Sequence, residues 1–150
     1  MTDGPAYRAP MRSRRDTVPT GAGVGRGLAR GLCGIGGRLD PPPLDLAEAV
    51  EATALAYGER AADRLERFAG APAGAVVWTR DPDDRYFRGS LDGRWRYDDS
   101  PAAYDADLVH VRPCRWVEVG PDRVPGPVLE TFARGGRNFQ RIRRLGDTQV

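Results

Sequence analysis

The sequence predicts an α+β domain: a small β-barrel, preceded by one kinked helix or a helix pair and by a disordered N-terminal tail. Three patterns carry the prediction. Between Val76 and Ile142, short apolar and aromatic runs alternate with turn residues, the signature of a small barrel. From Leu46 to Phe68, apolar residues recur at steps of three and four, the period of a helix. Residues 1–43 are rich in Gly, Pro and Arg and short of large apolar side chains, so they bury too little surface to offset chain entropy. The expected boundaries are a tail at 1–43, a helical segment packed on the barrel at 44–70, and the barrel itself at 75–144. A chain of 150 residues is long enough for one domain with a single core.

Taken in order, the tail carries seven arginines against Asp3, Asp16 and Asp40, a local charge of +4. Its Gly21-Ala-Gly-Val-Gly25 lacks both the preceding strand and the closing Gly-Lys-Ser/Thr of a phosphate-binding loop. After Pro41-Pro-Pro43, Asp45 is placed as an N-cap with Glu48 three residues on, a variant of the capping box. The stripe Leu46, Val50, Ala54, Tyr57, Ala61, Leu65, Phe68 then forms one apolar face. Gly58 predicts a kink or a break into two helices, and Gly70 a left-handed cap. Strands follow at Val76–Thr79, Arg85–Arg88 and Arg94–Tyr97, separated by the turns Asp81-Pro-Asp-Asp84 and Leu91-Asp-Gly93. Two more are expected at Asp107–Arg112 and Arg115–Val119, with Pro113 marking an edge or a bulge between them. Val128, Leu129 and Phe132 suggest a short helix ended by Gly135-Gly136, and Asn138–Ile142 a last strand.

Composition excludes several classes. The net charge of +2 does not by itself call for a polyanionic partner. All 23 basic residues are arginine, a skew that matches a GC-rich genome, so only the placement of arginines carries information. Cys33 and Cys114 lie far apart and form no redox or metal motif, as expected of free thiols in a reducing compartment. No apolar run reaches the roughly 18 residues of a membrane span. Ser13-Arg-Arg15 is not followed by the apolar stretch or cleavage site of a twin-arginine signal, so the expectation is a cytoplasmic protein without membrane contact.

No catalytic constellation emerges, and the expectation is a non-enzyme with no metal and no cofactor. His110, the only histidine, has no nucleophile and orienting carboxylate at a triad spacing and reads as a hydrogen-bonded structural residue. The aromatics Trp78, Tyr86, Trp95, Tyr97 and Trp116 are either core or stacking faces for a base. From Phe132 onward, Arg134, Arg137, Arg141, Arg143 and Arg144 stand against Asp147. Within that run Arg137 can fork onto a phosphate, while Asn138 and Gln140 can pair with base edges.

One set of residues resembles a known family. Trp78-x-Arg80, Tyr86-x-x-Gly89, Trp95-x-Tyr97, Val109-x-Val111-Arg112-Pro113-x-x-Trp116, Val124-Pro125-x-x-Val128 and Arg137-x-x-Gln140-x-Ile142 together look like the PUA/EVE-like β-barrel modules. Such modules accompany modified-DNA restriction systems, and short uncharacterised actinobacterial proteins look similar. The resemblance spans residues 75–143. It implies a barrel with a concave pocket that takes an extruded, often modified, base. The expected function is therefore a binding module for nucleic acid or a nucleotide-like small ligand, with Trp78, Tyr86, Trp95, Tyr97, Trp116, Arg137, Asn138 and Gln140 as ligand contacts. The alternative is a protein-interaction or regulatory domain with no nucleic-acid ligand. Oligomeric state is left open.

Overall fold

In the computed structural model, which describes residues 5–143, the second half of the chain supplies five strands of a curled half-barrel sheet of seven. In chain order the elements are β1 (Ala6–Arg8), α1 (Ala22–Arg30), β2 (Leu32–Ile35), α2 (Leu46–Tyr57), α3 (Glu59–Gly70), β3 (Val76–Arg80), β4 (Tyr86–Leu91), β5 (Arg96–Tyr97), α4 (Pro101–Ala106), β6 (His110–Val119), α5 (Gly126–Ala133) and β7 (Gln140–Arg141). The fold is α+β. No helix among the described residues is long and apolar enough to cross a membrane.

The sheet order is β2-β6-β4-β3-β1-β7, with β5 also on β6. Only β1 and β3 run parallel; every other pair is antiparallel. The two strands expected around Pro113 are one ten-residue strand, β6. It is central rather than peripheral, with β2 along one side and β4 followed by β5 along the other. The interruption lies on the opposite side, between β4 and β5, while β6 runs unbroken through Pro113. Leu91 pairs with Cys114 and Arg96 with Val111, so four residues between them oppose only Arg112 and Pro113.

Both faces of the sheet are covered. Val77 and Trp78, successive in β3, belong to different clusters, as the period-two geometry of a strand requires. Val77 joins Phe68, Leu91, Leu108, Val111 and Phe139 in the main core. Trp78 packs with Val124, Val128, Phe132 and Ile142 on the other face.

The helix pair follows the sequence closely, with two corrections. The Asp45 carboxylate accepts from the Glu48 N–H and the Glu48 carboxylate from the Leu44 N–H, both at 2.9 Å, and Gly58 at φ 102° separates two helices. In α2, however, the buried residues are Ala49 and Thr53, so the helix is rotated from the stripe while Leu65 and Phe68 of α3 are buried as expected. Gly70 does not adopt a left-handed cap. The carbonyls at the end of α3 are taken instead by the Arg112 guanidinium, which donates to Phe68 at 3.0 Å and Ala71 at 2.7 Å.

The larger correction concerns residues 5–43, which are not a disordered tail. β1 lies between β3 and β7, β2 pairs with β6, and Ala9, Met11, Val24, Leu32, Cys33 and Leu39 are buried. The physical reason lies in the glycines. A Cβ on Gly27 would stand 2.7 Å from the Leu32 carbonyl oxygen, and one on Gly23 would overlap that of Met11. Glycine here permits close packing, and few large side chains suffice because each is buried. The side chain of Arg8, itself buried, donates to the Thr131 and Gly135 carbonyls at 3.1 and 2.9 Å and to Gln140 at 2.7 Å, tying β1 to the C-terminal segment.

Candidate functional site

The folded N-terminal segment forms one wall of a cavity of about 220 Å³. Residues 9–15 face the α2–α3 pair across it, the end of β2 and its following loop close one side, and residues 137–139 close another. Its inner end is polar and buried, and its mouth is lined with arginine.

His110, at the start of β6, is 1 % exposed. Its Nδ1 accepts a hydrogen bond from the Trp95 indole N–H at 3.1 Å, which places the proton of the neutral ring on Nε2. Nε2 is buried, beside the Gly37 backbone. Burial pushes the imidazole pKa down to about 4, against a smaller upward pull from the Gly37 backbone and the Asp107 charge, so the ring is neutral at pH 7. Thr53, on the inner face of α2, also lines the cavity, and its hydroxyl is likewise buried. Both atoms are packed into the wall of the cavity, closed to a water-sized group.

Asp107 supports this arrangement. It caps α4 in the left-handed conformation (φ 52°), and its carboxylate accepts from Ser13 Oγ at 2.5 Å and from the Gly37 N–H at 3.1 Å. It thereby clasps the N-terminal segment to the loop after β2. Two aromatic rings contribute to the walls. Tyr57 is held by its hydroxyl, which donates to the Arg38 carbonyl at 2.6 Å. Phe139 is held between Tyr7, stacked at 4.9 Å, and the edge of Phe68 at 5.2 Å.

At the mouth stand Arg12, Arg14, Arg15, Arg64 and Arg137. None of them forms an ion pair among the described residues. Arg14 donates to the side-chain oxygen of Asn138. The pKa of Arg64 is lowered, first by desolvation and then by repulsion from Arg14, Arg67 and Arg60. Five arginines against the single Asp107 carboxylate in the lining leave an excess of positive charge that favours an anion.

Of the residues expected from sequence, Arg137 and Asn138 line this cavity. Gln140 does not; it is turned toward Arg8. The five aromatics do not line it either, which corrects the expectation of a tryptophan wall. Trp78 is core. Tyr86 packs edge-on against Phe132 at 5.7 Å. The Tyr97 hydroxyl binds the Leu39 backbone, and the Trp116 indole donates to the Leu32 carbonyl at 2.9 Å. Trp95 acts from behind, by fixing the tautomer of His110. His110 itself is buried, with Nδ1 hydrogen-bonded to the Trp95 indole. Thr53, Tyr57, Arg64, Asp107 and the arginines at 12–15 were not singled out, because their meeting depends on the N-terminal segment being folded.

The cysteines are poor nucleophiles. Burial raises the Cys114 thiol to about 12 and Cys33 well above its ordinary value. Among the described residues, no group of three or more His, Cys, Asp or Glu is placed to hold a metal ion. Leu44, just before the N-cap of α2, and Leu55 on α2 are exposed, with Glu48 and Glu51 between them in the chain, so they form no continuous apolar stripe. No family model, curated protein or solved structure matches the chain.

Proposed function

We propose that the protein is a non-catalytic binding module for a nucleotide unit, free or within a nucleic-acid strand. One observation carries the reading: five arginines without ion-pair partners among the described residues stand around one cavity whose lining also holds the Tyr57 and Phe139 rings. The size supports it. At about 220 Å³ the cavity is smaller than the roughly 300–1,000 Å³ typical of drug-sized ligands, so a single ring system fits inside while a charged group stays at the mouth. The Tyr57 and Phe139 rings offer faces to a planar group, and the arginines offer forked donors to a phosphate. The curled sheet is compatible with the PUA/EVE resemblance, which points to the same ligand class. The interrupted apolar stripe on α2 gives the protein-interaction reading less support.

The test is calorimetric titration of mononucleotides and of single-stranded and duplex oligonucleotides at two salt concentrations. Binding should weaken with salt, and Arg137→Ala or Arg64→Ala should each weaken it about tenfold, the loss of one charged hydrogen bond. Absence of binding to every one of these at low salt would refute the reading.

A further inference from the structure

The cavity does not end at its mouth. Arg12, Arg15 and Arg137, three of the five arginines there, also line a second hollow of about 160 Å³ along residues 16–23, so the two spaces meet at these side chains. All three are exposed, and none forms an ion pair among the described residues. Asp16 is the one carboxylate in the lining of the second hollow. That hollow holds no aromatic residue, whereas the cavity has the rings of Tyr57 and Phe139. A third hollow, of about 290 Å³, also shares Pro10 and Arg12 with the cavity, but its other charges are matched. Arg80 stands 3.8 Å from Asp84, Asp81 holds Arg85 at 2.8 Å, and the Arg8 guanidinium is occupied by the Thr131 and Gly135 carbonyls. The uncompensated positive charge therefore runs from the cavity toward residues 16–23, not toward Arg80.

On the premise that the nucleotide reading holds, we infer that the occupant is a strand segment of two or more nucleotide units rather than a free mononucleotide. One unit's base lies in the cavity, the linking phosphate lies on Arg12, Arg15 and Arg137, and the next unit runs along residues 16–23. The division follows from the two linings. The ring-walled space suits a base, and the space without rings, beside three unpaired cations, suits a sugar-phosphate. A mononucleotide brings its charge only as far as the mouth and leaves the second hollow empty. A strand sets a phosphate where arginines from the two ends of the chain converge, and each further phosphate neutralised adds affinity that falls with salt.

The experiment titrates the full chain by calorimetry at two salt concentrations with uridine monophosphate and its linear dimer and trimer, and with the thymidine deoxynucleotide series in parallel. Affinity should rise about tenfold from monomer to dimer, the worth of one more charged contact, and its salt dependence should steepen. A rise in either series supports the inference, and the series that shows it identifies the sugar. Thr20 is exposed and lines the second hollow but not the cavity. Thr20→Glu should therefore remove the rise and leave the monomer's affinity as it is. Ala29→Glu, equally exposed but lining neither space, is the charge-matched control and should keep the rise. Equal affinities for monomer, dimer and trimer in both series overturn the inference and leave the nucleotide reading standing, as does a rise that Thr20→Glu does not diminish. No binding by any member at low salt overturns both.

Discussion

Arg112 and His110 are two residues apart on β6, and each is decided by groups distant in sequence. Arg112 is 3 % exposed and has no carboxylate partner among the described residues; its guanidinium is satisfied by the Gly93 carbonyl and by those ending α3. In sequence it belongs to an ordinary alternation, with nothing to say that a helix end 41 residues away would supply its acceptors. His110 was legible as a hydrogen-bonded residue, but not that the Trp95 indole would be its partner. The histidine carries a stability prediction with a definite sign. Its folded-state pKa of about 4 lies below the ordinary 6.5, so the native state binds fewer protons than the unfolded chain between those values. The stabilisation is complete above about pH 6.5 and is lost as pH falls toward 4. At about 1.4 kcal/mol per unit, this amounts to about 3 kcal/mol. Urea unfolding of wild type and His110→Gln at pH 7 and pH 4 should show the variant losing less stability over that interval by up to that amount. Equal losses would contradict a buried, neutral His110.

Among the elements, those with strong local signals were readable and those made by distant pairing were not. The Asp45 cap, the Gly58 break and the strands at 76–80 and 86–91 follow from nearby residues. β1 has three residues and β2 four, too short for a periodicity to show, and β1 is defined by the parallel pairing of Ala6 with Val76. Glycine and proline content then pointed to disorder, although the glycines are where α1 packs tightly. The consequence is testable. Deleting residues 1–15 removes β1, uncovers the facing edges of β3 and β7, and takes Arg8 from its acceptors. The truncated chain should lose its cooperative thermal transition by circular dichroism. A transition at the wild-type temperature would show the N-terminal segment to be dispensable after all.

For the whole molecule, the charge pattern acquires meaning only through the fold. With 23 arginines and no lysine, no single arginine stands out in the sequence. The fold gathers Arg12, Arg14 and Arg15, Arg64 on α3 and Arg137 near the C-terminus around one opening. The C-terminal half of that cluster was readable as a basic run next to Asn138; the N-terminal half lay in the segment taken for a tail. That this cavity is the binding site is the central claim, and filling it is the most direct test. Ala61 lines the cavity from α3, a position where a larger side chain extends into the space without touching the sheet pairing. Nucleotide affinity should be measured by calorimetry for wild type and Ala61→Phe, with melting temperatures recorded for both. The cavity account predicts at least a tenfold loss of affinity at a melting temperature within a few degrees of wild type; unchanged affinity in a folded Ala61→Phe would contradict it.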